Sequence, residues 1–219
     1  AEVDGWEWNG ELQDHTESCE NVLDTWILSK IHTLINDVEK ATKEYDLQRA
    51  TRSILPFIDD LSNWYVRRSR KRFWKSDDDR DKQFAYKTLH YVLVQFAHVV
   101  APFAPFIADE LYINLTGNKS VHLNDWPKVG HINELVVGEM DSLRSAVNDG
   151  LSLRAKSQIK TRQPLASITV SGARDLGPQK NNYLKVLEEE LNVKAVSWIS
   201  DGEYSVELDF NLTPELISE

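Results

Sequence analysis

The chain has 219 residues, of which 41% are hydrophobic and 27% charged, and its 35 acidic and 25 basic residues give a net charge of −10 at pH 7. This composition is typical of a globular protein and excludes a largely disordered or collagen-like chain. No apolar run reaches the roughly 18 residues of a membrane helix and no signal peptide is evident, so we expect no membrane partner. The one cysteine, Cys19, excludes an internal disulfide and a cysteine-rich zinc site, and is compatible with the cytoplasmic location that we expect.

The first two thirds of the chain show the hydrophobic periodicity of α-helices. Residues 1–20 are polar and lack a steady period, so an irregular lead-in is predicted there. Helices are predicted over 22–45, 46–75, 80–100, 104–115 and 133–152. Pro56 lies inside the second of these and predicts a kink or a short break. The residues of this second helix that are expected to face the core are Ile54, Ile58, Leu61 and Tyr65.

The periodicity changes near residue 153. Strands are predicted over 165–171, 194–200 and 204–210, with a helix over 178–191 between the first two. Asp201-Gly202 predicts a hairpin that joins the last two strands. The chain is therefore predicted to be mainly α. Its predicted parts are an antiparallel helical bundle over 21–152, a basic linker over 153–164 and a small α+β subdomain of βαββ order over 165–219.

The common catalytic signatures are missing from the sequence. It contains no glycine-rich phosphate-binding loop, no H-E-x-x-H and no G-x-S-x-G. Its six histidines are scattered, and none pairs with a second residue at metal-ligand spacing. We therefore predict no catalytic residue, no metal site and no bound cofactor in this chain.

A concentrated basic segment ends the second predicted helix. Trp64–Lys75 contains six basic residues and no acidic one, in a chain that is acidic as a whole. On a helical wheel, Arg67, Arg70 and Trp74 fall opposite the predicted apolar stripe. Arginine binds phosphate through two hydrogen bonds and an indole stacks on unpaired bases, so this face suits a nucleic acid.

Simpler interpretations of the same residues stay open. Exposed arginines on a helix are commonly only solvated. Arg68 and Arg72 continue the apolar stripe, where they can pair with Asp59, with Asp60 or with acids of a neighbouring helix. A second basic segment lies in the predicted linker, where it is either an RNA contact or a solubilising connector. Its basic residues are Arg154, Lys156, Lys160 and Arg162.

Several motifs, in chain order, resemble the anticodon-binding region of isoleucyl-tRNA synthetases, which are class I enzymes. They cover most of residues 22–165, and the string W-Y-V-R-R-S-R-K-R-F-W is the most specific. The motifs are Leu23–Lys30 (LDTWILSK), Tyr45–Ile54 (YDLQRATRSI), Phe57–Trp74 (FIDDLSNWYVRRSRKRFW), Ala101–Tyr112 (APFAPFIADELY), Ser120–Pro127 (SVHLNDWP) and Lys160–Leu165 (KTRQPL). Residues 166–219 are similar only in architecture.

The resemblance implies a tRNA-binding part of an enzyme that uses ATP and magnesium to attach isoleucine to its tRNA. The nucleotide-binding motifs H-I-G-H and K-M-S-K-S are missing here, so this chain alone is expected to be inactive. Some members bind zinc through a C-terminal cysteine cluster, which Cys19 alone cannot supply. The expected partners are an isoleucine-accepting tRNA and the rest of a synthetase chain.

The resemblance also gives the basic residues a role. Phosphate contacts are expected from Arg67, Arg70, Lys71 and Lys75, and base stacking from Trp74. Further contacts are expected from Arg154, Lys156, Lys160 and Arg162. Three alternatives remain at this point: the matching domain of a valyl-type enzyme, a free-standing RNA-binding module, and a helical domain that binds an acidic protein.

Overall fold

The computed structural model describes residues 6, 10, 12–75 and 79–211, except for the side chains of Lys75 and Asp79. It divides the chain into two compact units, 1–133 and 134–219. Mainly helical structure followed by a small sheet confirms the predicted fold class. Within the described ranges, no helix is both long enough and apolar enough to span a bilayer.

The first unit is built around one long, buried helix. Its helices are α1 (Val22–Lys43), α2 (Leu47–Arg52), α3 (Ile54–Asp59), α4 (Arg67–Lys75), α5 (Asp79–Val100) and α6 (Pro105–Thr116). Asn21 caps α1 by accepting a hydrogen bond from the Leu23 N–H at 2.9 Å, which satisfies a donor that the helix itself cannot pair. Trp26, Ile27 and Ile31 of α1 have no exposed surface, and the helix contacts α2 and α5. Gly117 ends α6 with a positive φ of 70°, as glycine often does.

The second predicted helix is interrupted, as Pro56 indicated. A turn at Ser53 separates α2 from α3. Pro56 has no N–H to donate to the carbonyl of Arg52, so the helical hydrogen-bond ladder is open at that point. Between α3 and α4 the chain forms a π-helical segment, Asp60–Val66, and the N–H of Arg67 donates to the carbonyl of Ser62, five residues back.

This π-helical segment changes which residues face the core. Leu61, Tyr65, Ser69 and Phe73 are buried at a spacing of four residues, and the first two of them lie in the wider π-helical turns. A uniform α-helical wheel predicts a slightly different stripe. The predicted core position of Ile58 is wrong, because the residue is 39% exposed.

The second unit contains one long helix, a three-stranded sheet and a second helix. Its elements are α7 (Glu134–Lys156), β1 (Leu165–Ser171), α8 (Lys180–Leu191), β2 (Val193–Trp198) and β3 (Ser205–Leu208). The predicted boundary at 152 differs from this arrangement, because α7 runs into the predicted linker and contacts α8 and β3. The contact is close at Gly150, where an added Cβ would lie 2.5 Å from a methyl group of Leu191.

The strand order is β2–β1–β3, with β1 parallel to β2 and antiparallel to β3. The βαββ order is confirmed, but the predicted hairpin is wrong because the last two strands lie on opposite edges of β1. The connection crosses the end of β1 at Gly172, whose N–H donates to the carbonyl of Asp201 at 3.1 Å. Gly172 has a φ of +62°, and a Cβ there would lie 2.4 Å from the carbonyl carbon of Glu203. The crossing therefore requires glycine.

Candidate nucleic-acid interface

The outward side of α4 carries three cations and an indole. Arg67, Arg70, Lys71 and Trp74 are all exposed, and their spacing places them on one face of the helix. Trp74 is 66% exposed. The guanidinium carbon of Arg70 lies 4.3 Å from the centroid of the Trp74 ring, a cation–π contact between residues one turn apart. The predicted outward face thus exists, and we call it the α4 face.

Local hydrogen bonds help to hold the α4 face. The Nε of Arg67 donates to the carbonyl of Asn63 at 2.9 Å, and the amide of Asn63 donates to Asp59 at 2.6 Å. Arg67 is therefore tied to the turn that precedes it. Lys75 is the last residue of α4, and its side chain lies outside the described residues, so its predicted phosphate contact remains a prediction.

The inward side of α4 is held by a different arginine. Arg72 makes a two-bond fork with Asp24 of α1, with both nitrogen-to-oxygen distances 2.8 Å. It makes a second fork with Asp81 of α5, at 2.8 and 2.7 Å. The Tyr65 hydroxyl also donates to Asp24, at 2.7 Å. These bonds join α4 to α1 and α5, and the predicted pairing of Arg72 with acids of neighbouring helices is confirmed.

Electrostatics show that this network is stable in its charged form. Burial opposes the charge on Arg72, but the hydrogen bonds to Asp24 and Asp81 and the negative charge of Asp24 outweigh it and raise the pKa of Arg72. Burial and the negative charge of Asp24 raise the pKa of Tyr65, so its hydroxyl keeps its proton and remains a donor. Arg72 is thus neutralised and oriented inward, whereas Arg67, Arg70 and Lys71 of the α4 face are exposed.

The α4 face has a local excess of positive charge. No acidic residue occurs between Asp60 and Asp77 in the sequence. Arg70 and Lys71 are three and four residues after Arg67, spacings at which helix side chains are neighbours. Phosphates bind arginine pairs well.

In the second basic segment, Arg154 departs from its predicted role. It lies in α7, not in a linker, and is only 1% exposed. Within the described part of the chain, its Nη1 and Nη2 donate to four main-chain carbonyl oxygens. A phosphate cannot reach this group, so the prediction that Arg154 grips tRNA directly is wrong.

The other basic residues of this segment do lie at the surface. Lys156 is at the end of α7, and Lys160 and Arg162 are in the turn that follows. All three are exposed. We call residues 157–163 the basic turn.

Sequence reasoning missed the residues that hold these two surfaces. Asp24 lies among buried residues of α1, and an acid on an apolar helix face was a signal that it has a buried partner. Asn192 follows α8 with a positive φ of 49° and donates to two carbonyls of the basic turn. Asparagine at a helix end is a known signal for this conformation, but its side-chain contacts depend on the tertiary fold.

Comparison with known proteins identifies the family of this chain. Residues 24–170 match the anticodon-binding domain of tRNA ligase. The isoleucine–tRNA ligase 2 of Bacillus thuringiensis subsp. konkukian is 40% identical over 189 residues, which cover 85% of this chain and 17% of the relative. The isoleucine–tRNA ligase of Clostridium novyi is 41% identical over 205 residues, covering 90% and 19%. That of Chlamydia trachomatis serovar D is 39% identical over 195 residues, covering 86% and 18%.

The chain spans about a fifth of the length of these curated relatives. The family match covers both the α4 face and the basic turn. The chain therefore belongs to the anticodon-binding domain family of tRNA ligases and corresponds to the anticodon-binding part of isoleucine–tRNA ligases.

Proposed function

We propose that this chain binds the anticodon stem and loop of an isoleucine-accepting tRNA through the α4 face. The observation that carries this proposal is the exposed arrangement of Arg67, Arg70, Lys71 and Trp74 above the buried Arg72 network. Because that network joins α4 to two other helices, the cations are presented from a fixed helix and little order is lost on binding.

Each side chain of the α4 face has a distinct task. Arg67, Arg70 and Lys71 bind phosphates, with Lys75 as a further candidate, and these contacts position the RNA without reading its sequence. One side of the Trp74 ring is covered by Arg70, and the other side stacks on an unpaired base of the loop. The exposed cations Lys156, Lys160 and Arg162 of the second unit add phosphate contacts.

The whole enzyme would use ATP and magnesium to attach isoleucine to the tRNA, and this chain would contribute recognition to it. The chain lacks the H-I-G-H and K-M-S-K-S motifs. Among the described residues, no group of three or more His, Cys, Asp or Glu side chains is placed to hold a metal ion. We therefore assign no chemical step to this chain and propose that it needs no cofactor to bind tRNA.

The test is a binding titration of the wild-type chain and of the Arg67→Ala/Arg70→Ala variant over a range of salt concentrations. The RNAs are an isoleucine tRNA, the same tRNA with a swapped anticodon, and a valine tRNA. Removal of two phosphate contacts should weaken binding by about tenfold or more. It should also reduce the slope of log K against log salt by about 1.4–1.8.

The matched control is Lys119→Ala/Lys128→Ala, which removes the same formal charge from two exposed residues elsewhere in the first unit. If both double variants change the slope equally, the effect is general electrostatics and the α4 face is not the site. Preference for the isoleucine tRNA that disappears on the anticodon swap would support anticodon recognition by this chain. Tighter binding of the valine tRNA would instead assign the domain to a valyl-type enzyme.

A further inference from the structure

The second unit contains a buried arginine whose acceptors, among the residues that the structure describes, all belong to the main chain. Nη1 of Arg154 donates to the carbonyls of Lys160 at 3.1 Å and Gln163 at 2.9 Å. Nη2 donates to the carbonyls of Leu191 at 2.5 Å and Asn192 at 3.1 Å. One guanidinium thus joins the middle and the last residue of the basic turn, Lys160 and Gln163, to the end of α8.

A buried positive charge needs compensation, and here carbonyl dipoles provide it. The carbonyls of Leu191 and Asn192 lie at the C-terminal end of α8, where the helix dipole is negative. Burial alone lowers the pKa of Arg154, yet guanidinium remains charged at neutral pH. The charge is therefore used internally, to hold carbonyl oxygens in place.

Asn192 completes the arrangement. Its side-chain amide donates to the carbonyls of Thr161 and Arg162, both at 3.1 Å. Together, Arg154 and Asn192 accordingly occupy all four carbonyl oxygens of residues 160–163. The main-chain carbonyls of residues 160–163 are thus bound by these two side chains, while the side chains of Lys160 and Arg162 remain exposed.

The start of the basic turn is fixed as well. Gln158 has a φ of +57°, and its N–H donates to the carbonyl of Ala155. The N–H of Ile159 donates to the carbonyl of Arg154, five residues back. These two bonds form a Schellman motif, which ends α7 and directs the chain into the turn.

We propose that Arg154 and Asn192 are positioning residues that order the basic turn before RNA binds, so that Lys160 and Arg162 meet phosphate oxygens of the RNA in one fixed geometry. This rests on the proposed function, because the ligand is the same tRNA. Ordering the turn in the free protein removes part of the entropy loss that binding would otherwise carry.

The primary test substitution is Asn192→Gly. Glycine accepts the φ of +49° at this position, so the backbone is retained and only the two hydrogen bonds to the turn are lost. The matched control is Gln158→Gly, which also replaces an amide side chain at positive φ within this region but removes no side-chain hydrogen bond that the structure shows. Both variants should fold. Arg154→Met is not used as the test, because it removes the hydrogen bonds of a buried side chain and is expected to destabilise the unit.

Two readouts are needed. The first is limited trypsin cleavage after Lys160 and Arg162 without RNA, which we expect to be severalfold faster in Asn192→Gly than in the control. The second is the Kd for an isoleucine tRNA, which we expect to rise about 2- to 10-fold in Asn192→Gly. In a background of Lys160→Ala/Arg162→Ala, Asn192→Gly should no longer change the Kd, because it acts through those two side chains.

The outcomes separate the two proposals. If the wild-type chain does not bind tRNA, the proposed function is overturned and this inference with it. If the wild type binds but Asn192→Gly matches the control in cleavage and in Kd, only the positioning role is overturned. An effect of Asn192→Gly that persists undiminished in the Lys160→Ala/Arg162→Ala background also overturns it, since the residue would then act by another route.

Discussion

Replacing Arg72 by methionine should destabilise the first unit far more than the same change at Arg70, two residues earlier on the same helix. Methionine fills a similar volume but removes both carboxylate forks. Asp24, which is 1% exposed, then retains only the Tyr65 hydroxyl as a partner among the bonds that the structure shows. A buried carboxylate that loses its counter-charge is one of the most destabilising changes in a folded protein.

The geometry sets the size of the effect. The Arg72 side chain is 12% exposed and that of Asp24 is 2% exposed, so solvent screens this pair little. Removal of one partner of such a pair lowers the free energy of unfolding by about 3–5 kcal/mol. For a unit of this size we expect a fall in Tm of roughly 10–20 °C. Arg70→Met removes an exposed cation–π contact and should lower the free energy of unfolding by about 1 kcal/mol or less.

The assay is urea unfolding at pH 7 followed by far-ultraviolet circular dichroism, with linear extrapolation to water. The double variant Asp24→Asn/Arg72→Met completes a thermodynamic cycle. Removing the orphaned charge should recover part of the loss, with a coupling energy of about 1–3 kcal/mol. If Arg72→Met unfolds at the same urea concentration as Arg70→Met, or if the two substitutions at positions 24 and 72 are additive, the network does not stabilise the fold as argued.

Two further predictions concern an exposed ring and a titrating acid. Trp74→Ala should weaken tRNA binding by about 1–3 kcal/mol, whereas Trp74→Phe keeps a stacking ring and should retain most of the affinity; equal losses in the titration would count against stacking. Although burial opposes its charge, hydrogen bonds from His32 and Thr16 lower the pKa of Asp14 below the unfolded value of about 3.9. The stability that Asp14 contributes is therefore present above about pH 4 and is lost as the pH falls toward the folded pKa. The difference in unfolding free energy between wild type and Asp14→Asn should shrink between pH 6 and pH 2.5 in urea titrations, and a constant difference would contradict this.

Much of the first unit could be predicted because its signals are local. Apolar periodicity located α1, α5 and α6 to within a few residues, and Pro56 correctly indicated a break. The outward positions of Arg67, Arg70 and Trp74 followed from the same periodicity, because exposed and buried faces of a helix are set by spacing alone.

The errors arose where geometry depends on non-local contacts. The helical wheel assumes uniform α-helical turns, whereas the chain forms a π-helical segment after α3. The wheel therefore placed Ile58 in the core, although the residue is exposed. Asp201-Gly202 does lie in a tight connection, but the free edge of β1 was the better partner for β3. Neither the wider π-helical turns nor the strand order can be recognised from a distinctive sequence pattern.

Arg70, Arg72 and Arg154 show why charge counting alone overestimates a binding surface. All three lie in segments that contain no acid, yet each has a different environment. Arg70 is exposed, and its guanidinium covers one side of the Trp74 ring, where a phosphate can contact it. Arg72 is neutralised by Asp24 and Asp81, which lie 48 and 9 residues away in sequence. Arg154 is compensated by carbonyl dipoles, and no side-chain charge in the sequence could have revealed that. The fold pairs Arg72 and Arg154 with internal acceptors and leaves Arg70 exposed, so the number of basic residues in a segment does not give the charge that a ligand can reach.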